Sequence, residues 1–387
     1  VFMQNYSFIG KTILITGGCG FIGSHFVEAC HTLGMTIYVL DNMSSGKNVF
    51  TTSSDCSSPL IYVTGDIRDK TAFSRLPQKI DFVIHLAAAI SVAESITDPQ
   101  KYMLTNVEGS RNVFQYAIDA NASAVLSAST AAYYGDCGTS AITESFPYKG
   151  ISPYAESKLG MERLGAEFQK NSRCRFIFCR FFNVYGPRQD PSSPYTGVMS
   201  IFMDKCAVRK PITIFGTGEQ TRDFVFVKDL VIAGLNLLGQ FEKFPIGASA
   251  VQQGDSKEIR CNAYTGKDAY PTVFNIGSGQ SITVNELAEL TKIVSGRPEV
   301  EVIHGEPRDG DILHSLSDCT RIRNATGWTA STMLRVGMSE TWGWAAGEIP
   351  YLSGDLIKVS ENELKASGFL AVGNLHGKDA DVKEVGL

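Results

Sequence analysis

The sequence lacks any CxxC pair and any zinc-ligand spacing, although it contains nine cysteines. Scattered thiols in a chain of 387 residues read as free cysteines in a reducing compartment rather than a disulfide framework, so the expected location is cytoplasmic. No apolar run approaches the ~20 residues that span a bilayer. The opening stretch, VFMQNYSFIG, has neither the charged nor the apolar region of a signal peptide. A basic excess is missing as well: 35 Lys and Arg face 40 Asp and Glu, a net charge of −5. That balance argues against a nucleic-acid or anionic-membrane partner, yet a few local arginines still suffice to hold an anionic small molecule. The sequence shows no internal repeat, no long low-complexity tract and no metal site.

What is present is a regular alternation. The runs KTILIT (11–16), TIYVLD (36–41), LIYVTGD (60–66), DFVIHLAA (81–88), SAVLSAS (123–129) and RFIFCRF (175–181) read as strands. Most are apolar almost throughout, as strands covered on both faces must be. Helices are expected over 22–33, 100–120 and 154–170. The fold class is therefore α/β: a doubly wound parallel Rossmann sheet over 8–182, with the ligand at the carboxyl ends of its strands. A smaller α/β substrate-binding domain is expected from 183–225 and 279–345, with 226–240 and 271–278 returning to the first domain. NVYGPRQDPSSPYTG (183–197) reads as a loop, 239–270 as an irregular insertion and 346–387 as a C-terminal extension of open role.

ILITGGCGFIGSH places Gly18-x-Gly20-x-x-Gly23 directly between a strand and a helix, with Gly17, Phe21 and Ile22 in the same turn. Glycines let the backbone approach a pyrophosphate, and the helix N-terminus supplies free N–H groups and partial positive charge. Asp41 ends the second strand, where an acid accepts both ribose hydroxyls and repels a 2′-phosphate, so NAD is expected over NADP. Asp66 and Ile67 follow the third strand and are candidates to flank the adenine. A solvated strand-end carboxylate is the plain alternative for both acids.

Tyr154 and Lys158 form Tyr-x-x-x-Lys in SPYAESKLGMERL, one helical turn apart on one face. A free phenol, with a pKa near ~10, is a poor base at neutral pH. Lowering it by roughly three units takes about 4 kcal/mol, which Lys158 and an oxidised nicotinamide ring together could supply. Upstream, STAAYYG (129–135) carries a Ser-Thr pair followed by two alanines.

These motifs, with DNMSSG, GDIRD, HLAA, TNVEGSRNV, CRFFNVYGPRQ, GTGEQTRDFVFVKD, FNIGSGQSITV and RDGDILHSLSD, resemble the extended short-chain dehydrogenases/reductases. Within them the chain is similar to the NAD-dependent epimerase/dehydratase family, whose members act on nucleotide sugars. The resemblance runs from residue 11 to about 345. It implies that Thr130, or Ser129 in the alternative register, bonds the sugar 4-OH and relays its proton to Tyr154. It implies that Lys158 holds the nicotinamide ribose, that Asn106 steadies the active-site helix, and that Asn42, Ala87 and Ala88 border the cofactor. Family 4,6-dehydratases carry Asp-Glu where this chain has Ala131 and Ala132, and UDP-glucuronate decarboxylases carry Glu at the second position. With alanine at both, a 4-keto sugar has no acid to divert it, and return of hydride to the other face gives 4-epimerisation.

The same resemblance implies a diphosphate site of Asn183, Arg222 and Arg308, with Asp311 on the uridine ribose and Phe215 beside the uracil. Ser91 falls on the substrate-facing loop. Ser315 stands where related epimerases restricted to plain hexoses carry a Tyr, so an enzyme that accepts N-acetylated UDP-hexoses, alone or with plain ones, is expected. A homodimer through 100–120 and 154–170 is also implied. The alternatives are a UDP-glucuronate 4-epimerase, a heptose 6-epimerase or a reductase and, from another class, a non-catalytic NAD-binding regulator.

Overall fold

Along the first strand, Ile13 and Ile15 face one side of a sheet and Leu14 the other, and none of the three is exposed to solvent. The computed structural model describes residues 8–46, 58–190, 197–243, 272–307 and 312–348. In chain order its elements are β1 (Thr12–Thr16), α1 (Phe21–Thr32), β2 (Thr36–Asp41), β3 (Leu60–Thr64), a 3-10 turn (Lys70–Arg75), β4 (Phe82–His85), α2 (Val92–Thr97), α3 (Pro99–Met103) and a π-helical turn (Leu104–Gly109). There follow α4 (Ser110–Asp119), β5 (Ala124–Thr130), a 3-10 turn (Ala131–Tyr133), α5 (Pro153–Lys170), β6 (Arg175–Phe181), β7 (Asn183–Tyr185), α6 (Val198–Ala207), β8 (Ile212–Phe215) and β9 (Thr221–Phe226). The last are α7 (Val227–Lys243), β10 (Thr272–Ile276), β11 (Ser281–Thr283), α8 (Val284–Ser295), β12 (Val302–Gly305), α9 (Thr320–Thr326) and α10 (Leu334–Glu348).

Seven strands form one parallel sheet in the order β10-β6-β5-β4-β1-β2-β3. The winding reverses between β1 and β4, and the crevice at a reversal is where such sheets take ligands. One face is covered by α1, α7 and α9 through Phe26, Leu235 and Ile322 among others. The opposite face is covered by α4 and α5 through Val113, Phe114, Met161 and Leu164. Double coverage is the physical reason that polar/apolar alternation is absent from these strands. A separate core gathers Tyr185, Met199, Phe202, Leu287 and Trp342 beneath the three-stranded sheet β11-β9-β7 and the pair β12-β8.

Several expected boundaries move. The helix expected over 100–120 is α3, a π turn and α4 in succession. The strand expected to end at Ser129 runs on to Thr130. Asn183–Tyr185, expected as loop, pairs in parallel with β9, Val184 lying opposite Val225. Helix α7 continues to Lys243, past the start of the expected insertion at 239. Helix α9 falls in the segment expected to belong to the smaller domain, yet Ile322, Ala325 and Trp328 pack into the core of the large sheet. The rest of the insertion (244–270), residue 271 and residues 349–387 lie outside the described residues.

Candidate active site

The glycine turn closes the carboxyl end of β1. Gly17 adopts φ +71°, and a Cβ there would sit 2.7 Å from the Ala87 backbone nitrogen on the loop after β4. A Cβ on Gly23 would lie 2.1 Å from the Gly17 carbonyl oxygen. The first turn of α1, starting with Phe21 and Ile22, is thus pressed onto the turn, with Gly18 and Gly20 between. Gly20 is its N-cap and makes no side-chain cap bond, and no acid occupies the first turn. The N–H groups of this helix end are therefore left for an anionic ligand.

Asp41 closes the cradle from β2: its carboxylate accepts from the Cys19 amide at 2.9 Å and from the Met43 amide at 2.8 Å. Neither bond uses up both oxygens, so ribose hydroxyls can still be accepted. Asp66 is engaged differently. It forms a two-pronged bond with the Arg68 guanidinium at 2.9 and 2.7 Å and also accepts from Asn42 at 3.1 Å. Arg68 holds its carboxyl down at about 2. The Ile67 side chain is buried in the core beside Gly109. Adenine contacts from 66–67 are thus left chiefly to the backbone. Glycine turn, bare helix N-terminus and Asp41 together fit a dinucleotide.

Three consecutive residues at the end of β5 engage three turns of α5. The Thr130 side chain bears on the Tyr154 phenol and favours its ionised form, the Ala128 carbonyl accepts from Lys158 Nζ at 2.9 Å, and Ser129 Oγ donates to Glu162 Oε1 at 2.6 Å. Positions 154, 158 and 162 form one stripe, four residues apart. Of the Ser-Thr pair, Thr130 lies against the phenol and Ser129 against Glu162, one at each end of the same stripe. Ala131 and Ala132 follow in a 3-10 turn capped by Thr130 Oγ1, which accepts from the Ala132 amide at 3.1 Å.

The electrostatics differ from the sequence argument in one respect. Lys158 is expected to pull the Tyr154 phenol down, but in the chain by itself burial pushes that phenol up, opposed by the Thr130 bond. Burial also brings the Lys158 ammonium down to about 8, the Glu162 carboxylate acting in the opposite sense.

Asn106 sits in the π turn and is buried. Its amide donates to Ser157 Oγ and to the Ala89 carbonyl, both at 2.9 Å, and its Oδ1 accepts from the Ala89 amide at 2.8 Å. It therefore fastens α5 to the loop that carries Ala87 and Ala88. A second chain runs beside it. Ser110 gives its proton to the Asn106 carbonyl at 2.6 Å, so it accepts from His85 Nε2 at 2.8 Å. His85 Nδ1 then accepts from Thr16 Oγ1 at 2.7 Å. Burial lowers this imidazole to about 3, with the charge of Lys158 adding to the effect.

Asn183 and Arg222 lie on neighbouring strands of the small sheet, Asn183 opposite Phe224, with Arg222 Nη1 on the Thr221 carbonyl at 2.9 Å. Phe215 ends β8 and is 37% exposed, enough ring for a base to stack on. Ser315 is half-buried in the segment that bonds Thr221 through Leu313 and Ile142 through Leu316. Ser91 is buried as the N-cap of α2 and accepts from the Glu94 amide at 2.9 Å. Arg308 and Asp311 lie outside the described residues.

Sequence reasoning missed Glu162 and Arg180. Glu162 continues the 154/158 stripe by one turn, and Arg180 interrupts an otherwise apolar buried strand; both signals were present. It also missed Tyr102, whose fully buried ring meets Tyr154 edge-on at 6.3 Å and 88°. Asp223 was missed too. Wholly buried, it accepts from the Ser278, Gly279 and Ser317 amides at 2.7, 3.1 and 3.0 Å. Among the described residues no trio of His, Cys, Asp or Glu is placed to hold a metal, and no helix is long and apolar enough to cross a membrane.

Residues 13–248 match the family model described as the NAD dependent epimerase/dehydratase family. The UDP-glucose 4-epimerase of Mycolicibacterium smegmatis is 31% identical over 330 residues, covering 85% of this chain and 96% of that protein. The structure of a UDP-N-acetylglucosamine 4-epimerase from Methanobrevibacter ruminantium, in complex with UDP-N-acetylmuramic acid, superposes with a TM-score of 0.76 at 29% identity, over 88% of this chain and 99% of that one. The Thermus thermophilus UDP-glucose 4-epimerase complex with NAD gives 0.72 at 28% identity, over 87% and 99%.

Proposed function

The chain belongs to the NAD-dependent epimerase/dehydratase family, and we propose that it interconverts UDP-hexoses at carbon four, N-acetylated or plain, as an NAD-dependent isomerase. The observation that carries the reading is the end of β5. Thr130 meets Tyr154, Lys158 stands one turn on, and the next two residues are alanines.

NAD, when bound, accepts the C4 hydride and later returns it. The other steps fall to side chains. Tyr154 Oη takes the 4-OH proton, directly or through Thr130 Oγ1, and gives it back after the sugar has turned. A phenol raised by burial needs positive charge to ionise, and the Lys158 ammonium one helical turn on is the chain's own source. Ala131 and Ala132 offer no carboxyl group to eliminate water or carbon dioxide from the ketone. Gly17, Gly18, Gly20 and Gly23 take the pyrophosphate and Asp41 the adenosine ribose. Asn183, Arg222 and Arg308 take the UDP diphosphate, with Asp311 on the uridine ribose and Phe215 on the base. Ser315, small and half-buried, leaves room for a 2-N-acetyl group.

The proposal extends to a cytoplasmic homodimer. Seven described cysteines are free, and Met103 and Leu104 present exposed apolar side chains beside the helices expected to pair. The test is incubation with UDP-glucose, UDP-N-acetylglucosamine and UDP-glucuronate, with and without NAD, products being separated by chromatography. Epimeric pairs from the first two, and a loss of about 10²- to 10⁴-fold in Tyr154→Phe, are expected. A deoxy or decarboxylated product, or full turnover in the Phe variant, would end the reading.

A further inference from the structure

Below the catalytic stripe lies a charged pair that the mechanism does not use. Glu162 and Arg180 are almost fully buried, their side chains 6% and 5% exposed. Arg180 Nε reaches Glu162 Oε1 at 2.9 Å and Nη2 reaches Oε2 at 2.6 Å, the parallel geometry in which a guanidinium holds a carboxylate most rigidly. Oε1 also accepts from Ser129. The third arginine nitrogen, Nη1, donates to Tyr134 Oη at 3.0 Å, and the guanidinium carbon sits 3.3 Å from the centre of the Tyr133 ring. Tyr134 Oη passes its own proton to Asn275 Oδ1 at 2.6 Å.

Three elements therefore meet on one guanidinium. Glu162 belongs to α5, four residues beyond Lys158. Ser129 lies opposite Arg180 in the β5–β6 ladder. Tyr133 and Tyr134 end the turn that starts at Thr130. The net stability of such a pair is small, because the desolvation of two ions cancels most of their attraction. What it fixes is geometry: α5 cannot slide by a turn or rotate without leaving a buried charge unpaired.

We propose that Glu162 and Arg180 are positioning residues, locking α5 in register with the ends of β5 and β6 and so setting the relative placement of Tyr154, Lys158 and Thr130. The inference rests on the reading of the site as a 4-epimerase. Misplacement of reacting groups by about 1 Å costs roughly 10²-fold in rate, so a loosened lock lowers turnover far more than it lowers stability. UDP-sugar affinity, carried by the small sheet, is left almost unchanged.

The decisive comparison uses the NAD-loaded full chain as wild type, R180K and the double variant E162M/R180M. Replacing both ions by apolar side chains of similar length leaves no orphan charge, so cooperative unfolding near the wild-type Tm is expected. The kcat for UDP-hexose interconversion at saturating NAD falls by about 10- to 100-fold. The KM for the UDP-sugar stays within about twofold, and NAD binds several-fold more weakly because Lys158 is displaced. R180K keeps the charge but loses the fork and takes an intermediate place; it decides the matter if the double variant does not fold. A folded variant with wild-type kcat and NAD affinity overturns the proposal, as does a kcat loss matched by an equal loss of folded protein. A wild type that binds NAD yet converts no UDP-hexose sinks the functional reading instead, and NAD affinity of the variants then decides the positioning claim by itself.

Discussion

The amide of Asn106 donates to the hydroxyl of Ser157 over 2.9 Å, joining two helices that are 51 residues apart in the chain. Ser157 stands between Tyr154 and Lys158, so this bond holds the catalytic helix near its N-terminal end, beside those two residues. Asn106→Ala orphans a part-buried amide and carbonyl at Ala89 and leaves Ser157 only its bond to the Tyr154 carbonyl. A loss of roughly 2–4 kcal/mol in urea unfolding is expected, together with a fall of about tenfold in kcat if the helix shifts.

Gly23→Ala places a methyl group against the Gly17 carbonyl, where 2.1 Å is available. The obstacle is backbone, which cannot turn aside as a side chain can. Overpacking of this kind costs roughly 1–3 kcal/mol. An NAD dissociation constant raised at least about tenfold, which is ~1.4 kcal/mol of binding, is the expected calorimetric result; unchanged affinity would show that the glycine turn is not where the pyrophosphate rests.

Lys158 titrates at about 8 in the fold and at 10.5 when free. Its positive charge is complete below pH 8 and disappears as pH rises through that value. Turnover should therefore decline on the alkaline side of about 8. Between 8 and 10.5 the unfolded chain binds a proton that the native one has released, so this group's contribution to stability rises with pH across the same window. A kcat profile and a denaturation series from pH 6 to about 11, which spans both values, should consequently diverge.

His85 gives the acid counterpart. Burial keeps its imidazole neutral down to about 3, whereas the unfolded side chain protonates near 6.5. Below pH 6.5 the unfolded state gains the proton first, so stability falls progressively toward 3. His85→Asn removes that slope, and the Tm difference between wild type and variant should narrow as pH drops from 7 to about 4. A gap that stays constant would mean that His85 is not kept neutral.

Ser315→Tyr fills the half-buried space beside the 313–318 segment. Activity on UDP-N-acetylglucosamine should fall about 10- to 200-fold relative to UDP-glucose, the range that one pocket side chain commands. Equal loss on both sugars would place the acetyl group elsewhere.

The residues that were legible in sequence are those whose neighbours lie close along the chain. The Gly17–Gly23 turn, the Tyr154/Lys158 spacing and the strand-end Asp41 each follow from local geometry. Glu162 and Arg180 share no local pattern and meet only when β5 and β6 align, so a helical stripe and an odd arginine were visible without their connection. Ser129 and Thr130 could not be told apart until β5 and α5 were placed together, since both side chains meet that helix, one at Glu162 and the other at Tyr154. Enclosure of the Tyr154 phenol was hidden for a related reason. An adjacent ammonium can be read from spacing, but burial depends on tertiary packing such as the edge-on contact with Tyr102.

The wide turn at Leu104–Gly109 carries a consequence for the length of the chain there. A π turn winds one residue more than an α turn and an α-helix advances 100° per residue, so rewinding 104–109 to α with every residue kept would rotate α3 against α4 by about that angle. Tyr102 then leaves Tyr154, or Phe114 leaves Phe176, which it meets at 4.9 Å. The segment behaves as a gear with one surplus tooth: removing a single residue lets the turn close to α with its two ends still in phase, whereas closing it at full length puts them out of phase.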